Sequence, residues 1–114
     1  MKFLKHTRLS VIAVGAAIAS FSAIADIKIG INVPLTGFAA ADGKSALDGA
    51  KLAVAQANAK GGIKGEKIEL VIYDDQASPK EVVPLATKLI EKDKVVGVVG
   101  GSYSGPSRAA ASVF

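Results

Sequence analysis

Apolar and polar positions along residues 26–114 alternate between short apolar runs and longer stretches of helical period. Ile27-Lys28-Ile29-Gly30-Ile31 leads through Asn32 and Val33 into Pro34 and predicts a first strand. Leu35 to Gly43 reads as a loop, with Thr36-Gly37 as its turn. A helix is expected over roughly Ser45 to Lys60, because Leu47, Ala50, Val54 and Ala57 fall on one stripe. Gly61-Gly62 supplies its stop. Lys67 to Tyr73 predicts a second strand ending in Asp74-Asp75. Ser78-Pro79-Lys80-Glu81 is a capping box that opens a helix running to about Lys92, with Val82, Leu85, Ala86, Leu89 and Ile90 facing inward. Pro84 removes one backbone bond there and should bend it. Val95 to Val99 is short and wholly apolar, as in a strand covered on both faces. A Gly/Ser loop, Gly100 to Ser107, precedes a third helix opening near Pro106. The fold class is therefore α/β: a Rossmann-like, doubly wound parallel sheet built by right-handed crossovers, with helices on both faces.

Residues 1–25 belong to a different pattern. Lys2, Lys5 and Arg8 precede an apolar stretch from Leu9 to Ile24, and Ala23-Ile24-Ala25 is a small-residue cleavage site. That order is a cleaved signal peptide, with Asp26 as the new N-terminus and the periplasm as destination. The apolar run, broken by Ser10, Gly15, Ser20 and Ser22, falls short of the ~20 apolar residues of a spanning helix.

The leader also changes the charge. The whole chain carries +4, but removing the leader's three basic residues leaves eleven Lys and Arg against ten Asp and Glu. Basicity is thus an export feature, and no nucleic-acid partner is expected. With no cysteine, stability rests on packing rather than disulfides. The sole histidine, His6, lies in the leader, so histidine acid–base chemistry and histidine metal sites are absent from 26–114.

The Gly/Ser loop is the main candidate for chemistry. It lies at the carboxyl end of a strand, where open α/β sheets bind ligands. Free amides and the positive end of a helix favour an anion, here a carboxylate. Ser102, Ser104 and Ser107 add hydroxyls. A connection using Gly and Ser for turn geometry alone is the competing reading. Enzyme motifs do not fit. Pro106 stands where a phosphate-binding loop has Lys, and Tyr103 occupies the centre of the only nucleophile-elbow-like stretch. Asp74-Asp75 reads either as a metal or phosphoacceptor pair or, more simply, as a solvated strand end ordering the next loop. Tyr103 and Phe38 read as an apolar ligand wall or as packing.

Taken together, Pro34-Leu35-Thr36-Gly37, Asn58-Ala59-Lys60-Gly61-Gly62-Ile63-Lys64-Gly65, Glu69 through Asp75, Pro79 and Val95 to Gly101 resemble one family. It is the type I periplasmic substrate-binding proteins of branched-chain amino acid ABC transporters, the leucine/isoleucine/valine-binding proteins. The resemblance implies that 26–114 is the N-terminal part of a first lobe, itself incomplete. It implies a monomeric, non-enzymatic protein without cofactor or metal that clamps an amino acid between two lobes and delivers it to an inner-membrane permease. A ligand-sensing receptor domain of the same fold is the alternative. The family's carboxylate-binding serine matches Ser104, and the hydroxyl at the start of the next helix matches Ser107. Gly101 and Ser102 would let backbone approach the ligand, with Tyr103 walling its side chain. Asp42 departs from the pattern: the leucine-binding type carries an aromatic residue there, so a purely aliphatic preference does not carry over.

Overall fold

The computed structural model describes residues 26–114; the expected signal peptide lies outside them. Three strands, β1 (Ile27–Val33), β2 (Ile68–Asp74) and β3 (Gly97–Gly100), form one parallel sheet in the order β2-β1-β3. Helices α1 (Ala40–Ala59), α2 (Pro79–Glu91) and α3 (Ser104–Ala110) follow the strands in turn.

Side-chain alternation along β1 splits the core into two layers. Ile31 and Val33 face α1 and pack with Leu47, flanked by Ala50, Leu70 and Ile72. Gly30 faces the other layer, where Leu89 and Val98 fill the space a side chain would take. Beside them Val82 and Ala86 of α2 pack with Ala110 of α3. Helices thus cover both faces, as the crossover pattern requires.

Helix α1 begins five residues before the expected Ser45. Gly43, read as part of a loop, is buried inside the helix because α1 passes directly over the Pro34 carbonyl. Its end follows expectation: Gly62 donates to the Ala57 carbonyl at 2.9 Å. Asn58 then links α1 to β2. Its amide donates to Ile68 O (2.9 Å) and accepts from Ile68 N (2.8 Å), as a neighbouring strand would.

In α2, Ser78 accepts from Glu81 N at 3.4 Å, but the reciprocal half of the capping box is not made. The Ser78 amide donates to Asp75 O instead (2.8 Å). The helix is continuous through Pro84. Val82, Ala86 and Leu89 are buried as expected, whereas Ile90 is 39% exposed. Strand β3 also departs from the reading. It pairs only from Gly97, and Val96 and Val99 are 75% and 54% exposed. The reason is position: β3 ends the sheet, and among the described residues nothing lies beyond it.

Candidate functional site

The strand order creates one distinctive place. The chain leaves β1 for β2 on one side and returns to place β3 on the other. The connections after β1 and β3 therefore diverge, which opens a crevice at the carboxyl ends of these two strands.

The β1–α1 connection is held from below by Asp74. Its Oδ1 accepts from Leu35 N (2.7 Å) and Gln76 N (3.0 Å), and its Oδ2 accepts from the Thr36 hydroxyl (2.5 Å). Burial alone would push this carboxyl up, but the Thr36 hydroxyl and the amides of Leu35, Gln76 and Thr36 outweigh it and hold it below its ordinary 3.8. Asp74 therefore stabilises the folded state fully above the unfolded value near pH 4, and that stabilisation is lost as pH falls through the lower folded value. Asp74→Asn should flatten the acid limb of a plot of urea midpoint against pH below about pH 4. An unchanged limb would assign acid sensitivity elsewhere.

Asp75 is not the solvated residue expected. It is 1% exposed, its Oδ1 accepts from Ala77 N (2.9 Å), and its Oδ2 has no partner among the described residues. Burial raises its carboxyl, partly offset by that amide bond, and the neighbouring Asp74 charge raises it further. The pair is a structural junction: among the described residues, no three acidic or metal-binding side chains gather to hold an ion.

The β3–α3 connection forms the other wall. Gly101 adopts φ 76°, and a Cβ there would lie 2.4 Å from Ser107 Oγ, so glycine is required on both counts. The Ser107 hydroxyl shares its proton between the carbonyls of Tyr103 (2.7 Å) and Gly101 (2.9 Å), which folds the loop onto the first turn of α3. Helix α3 starts at Ser104, two residues before the expected Pro106, with Tyr103 as its extended cap. The Ser102 and Ser104 side chains are exposed, and the amides of Ser104 and Gly105 belong to a first helical turn, which offers no acceptor within the helix.

The two walls meet through residues 61 apart. The Tyr103 hydroxyl donates to Asp42 Oδ2 at 2.5 Å. Phe38 meets the Tyr103 ring edge-on, centroids 5.7 Å apart, while remaining 83% exposed. The bond to Asp42, with some burial and the carboxylate's charge, raises the Tyr103 phenol above its ordinary 10.0. Phe38, Asp42 and Tyr103 thus form one rim of the crevice. The sequence named each of these residues but carried no signal that they touch.

Asn32 was missed as a site residue. It is 1% exposed, and neither the nitrogen nor the oxygen of its side-chain amide has a partner among the described residues. It lines a cavity of about 250 Å³ behind the loop, with Val82, Val98, Gly100, Gly101 and Ser107. One polar residue inside the apolar run Ile29–Val33 was the available signal.

Residues 26–114 match the family model described as periplasmic binding protein. An amino acid binding protein of Pseudomonas aeruginosa is 42% identical over 95 residues, covering 83% of this chain and 25% of that one. The Leu/Ile/Val-binding protein of Escherichia coli K12 is 35% identical over 101 residues, covering 89% and 27%. Among solved structures, the branched-chain amino acid transporter substrate-binding protein LivJ of Streptococcus pneumoniae, in complex with isoleucine, superposes with a TM-score of 0.76. It is 40% identical, with 78% of this chain and 26% of that one covered. A solute-binding protein of an ABC transporter from Rhodopseudomonas palustris, in complex with 3,4-dihydroxybenzoic acid, gives a TM-score of 0.71 at 34% identity, covering 77% and 24%. The chain spans about a quarter of the length of these relatives.

Proposed function

The chain belongs to the periplasmic binding protein family, and from that premise we propose that it serves as the substrate-binding component of an ABC importer for amino acids, branched-chain or related. The expectation of a binding protein rather than an enzyme agrees with the family's description. The leader at 1–25 would deliver it to the periplasm, where a monomer would pass its ligand to an inner-membrane permease.

The observation that carries this reading is the crevice at the carboxyl ends of β1 and β3, within the matched residues 26–114. An amino acid offers a carboxylate, and the β3–α3 loop offers what a carboxylate needs. Ser104 presents an exposed hydroxyl beside first-turn amides, and Ser102 a second hydroxyl. Gly101 and Ser107 would act differently from each other. Gly101 keeps the loop close to the sheet, and Ser107, its proton held by backbone carbonyls, would steady the loop and offer the ligand a hydroxyl only by releasing them. Tyr103 would wall the ligand's side chain.

Ser104→Ala in the protein at its native length should weaken amino acid binding by about 1–3 kcal/mol, the worth of a hydrogen bond to a charged group. Titration calorimetry with leucine, isoleucine and a panel of other amino acids checks this. Unchanged affinity would remove Ser104 from the site.

A further inference from the structure

We infer that the Asp42–Tyr103 pair selects a ligand whose side chain ends in a hydrogen-bond donor, a carboxamide or a cation, in preference to a purely aliphatic one. The inference rests on the amino-acid-binding reading above and adds the substrate class.

Three observations carry it. First, the pair sits at the topological switch point, bridging the first turn of α1 and the β3–α3 connection, where a ligand in an open parallel sheet would lie. Second, the hydrogen-bond inventory is one-sided. Tyr103 spends its only O–H on Asp42 Oδ2, so the pair has no donor left to offer. What it presents is Asp42 Oδ1, the remaining lone pairs of Oδ2 and the phenol oxygen, all acceptors beside a negative charge. An aliphatic side chain would strip water from this carboxylate and return nothing, whereas an amide N–H or a cation would satisfy it. Third, Phe38 and Tyr103 stand edge to face above the same crevice, with Phe38 largely exposed. Their rings can flank an alkyl stem or a planar end group and favour a cation over their faces. An apolar flank ending in acceptors fits a side chain with an apolar stem and a donating end.

The test is titration calorimetry of the protein at native length with L-arginine, L-glutamine and L-leucine, with melts by circular dichroism to confirm folding of each variant. Arginine or glutamine should bind at least about tenfold tighter than leucine, and Asp42→Leu should erase that ratio. Asp42→Asn, which keeps shape and removes charge, should lower arginine binding more than glutamine binding. Leucine binding as tightly as the other two, or a ratio unmoved by both Asp42 variants, would overturn the inference. In that case leucine affinity that still depends on Ser104 would leave the amino-acid reading standing. No binding of any of the three, or of the wider amino acid panel, would overturn both.

Discussion

Gly43→Ala should destabilise the protein by about 3–5 kcal/mol, at the severe end for a single substitution. Local propensity predicts the opposite sign, since alanine in a helix interior is worth about 1 kcal/mol more than glycine. The contact decides. A Cβ at Gly43 would lie 1.6 Å from the Pro34 carbonyl oxygen and 2.5 Å from its carbon. Both are backbone atoms at the end of β1, so no side-chain rotation relieves the overlap; α1 must move away from the sheet. Gly49, in the same helix, is exposed with nothing within 4 Å of its would-be Cβ. Gly49→Ala should therefore stabilise by up to about 1 kcal/mol. Urea unfolding of the two variants separates packing from propensity. Equal effects of the same sign would show that α1 does not sit on Pro34. Displacing α1 would also carry Asp42 and Phe38 away from Tyr103, so Gly43→Ala should impair ligand selection by the rim.

The same glycine marks where the sequence stops being legible. Leu47, Ala50, Val54 and Ala57 gave the inward stripe of α1, with Leu47 buried and the other three half-buried, but the stripe continues back through Gly43 to Ala39, both buried. A side chain of zero size carries no hydrophobic signal, and a glycine near a turn reads as a breaker unless the backbone lying against it is known. The order of elements, the parallel sheet and the core of α2 were legible because each rests on period and local capping. Features that depend on neighbours distant in sequence were not. Ile90, Val96 and Val99 look like core residues, and their exposure follows from β3 lying at the end of the described sheet. Asp75 looks like a surface acid, yet the turn after β2 buries it against its own following loop. In the site, the Gly/Ser loop was visible from its residues and its place after a strand. The rim was not, because Asp42 and Tyr103 meet only once the switch in strand order brings the start of α1 and the β3–α3 connection together.

Leu89→Ala should cost about 2–5 kcal/mol, the range for emptying a fully buried leucine site. Leu89 is 0% exposed, and its two methyl groups occupy the space above Gly30. Gly30 lies in the central strand, where a missing side chain leaves a notch in the sheet, and Leu89 together with Val98 fills it. A Cβ on Gly30 would lie 2.9 Å from Leu89 Cδ2, 3.0 Å from Cδ1 and 3.2 Å from Val98 Cγ2. Gly30→Ala alone should thus cost about 1–3 kcal/mol by overpacking, less than the Gly43 change because side-chain ends can give way where backbone cannot. The double variant tests whether the two residues share one volume. With Leu89 shortened, the new methyl at position 30 enters vacated space, and alanine also suits a strand interior better than glycine. The double variant should therefore be at least about 1 kcal/mol more stable than the sum of the single effects requires, within the coupling seen for residues in contact. Additive losses in urea midpoints would mean that α2 packs elsewhere on the sheet. Val98 lies in this same contact, two residues before Gly100, which pairs with Asn32, so loosening it should also raise exchange of the β3 amides that position the Gly/Ser loop.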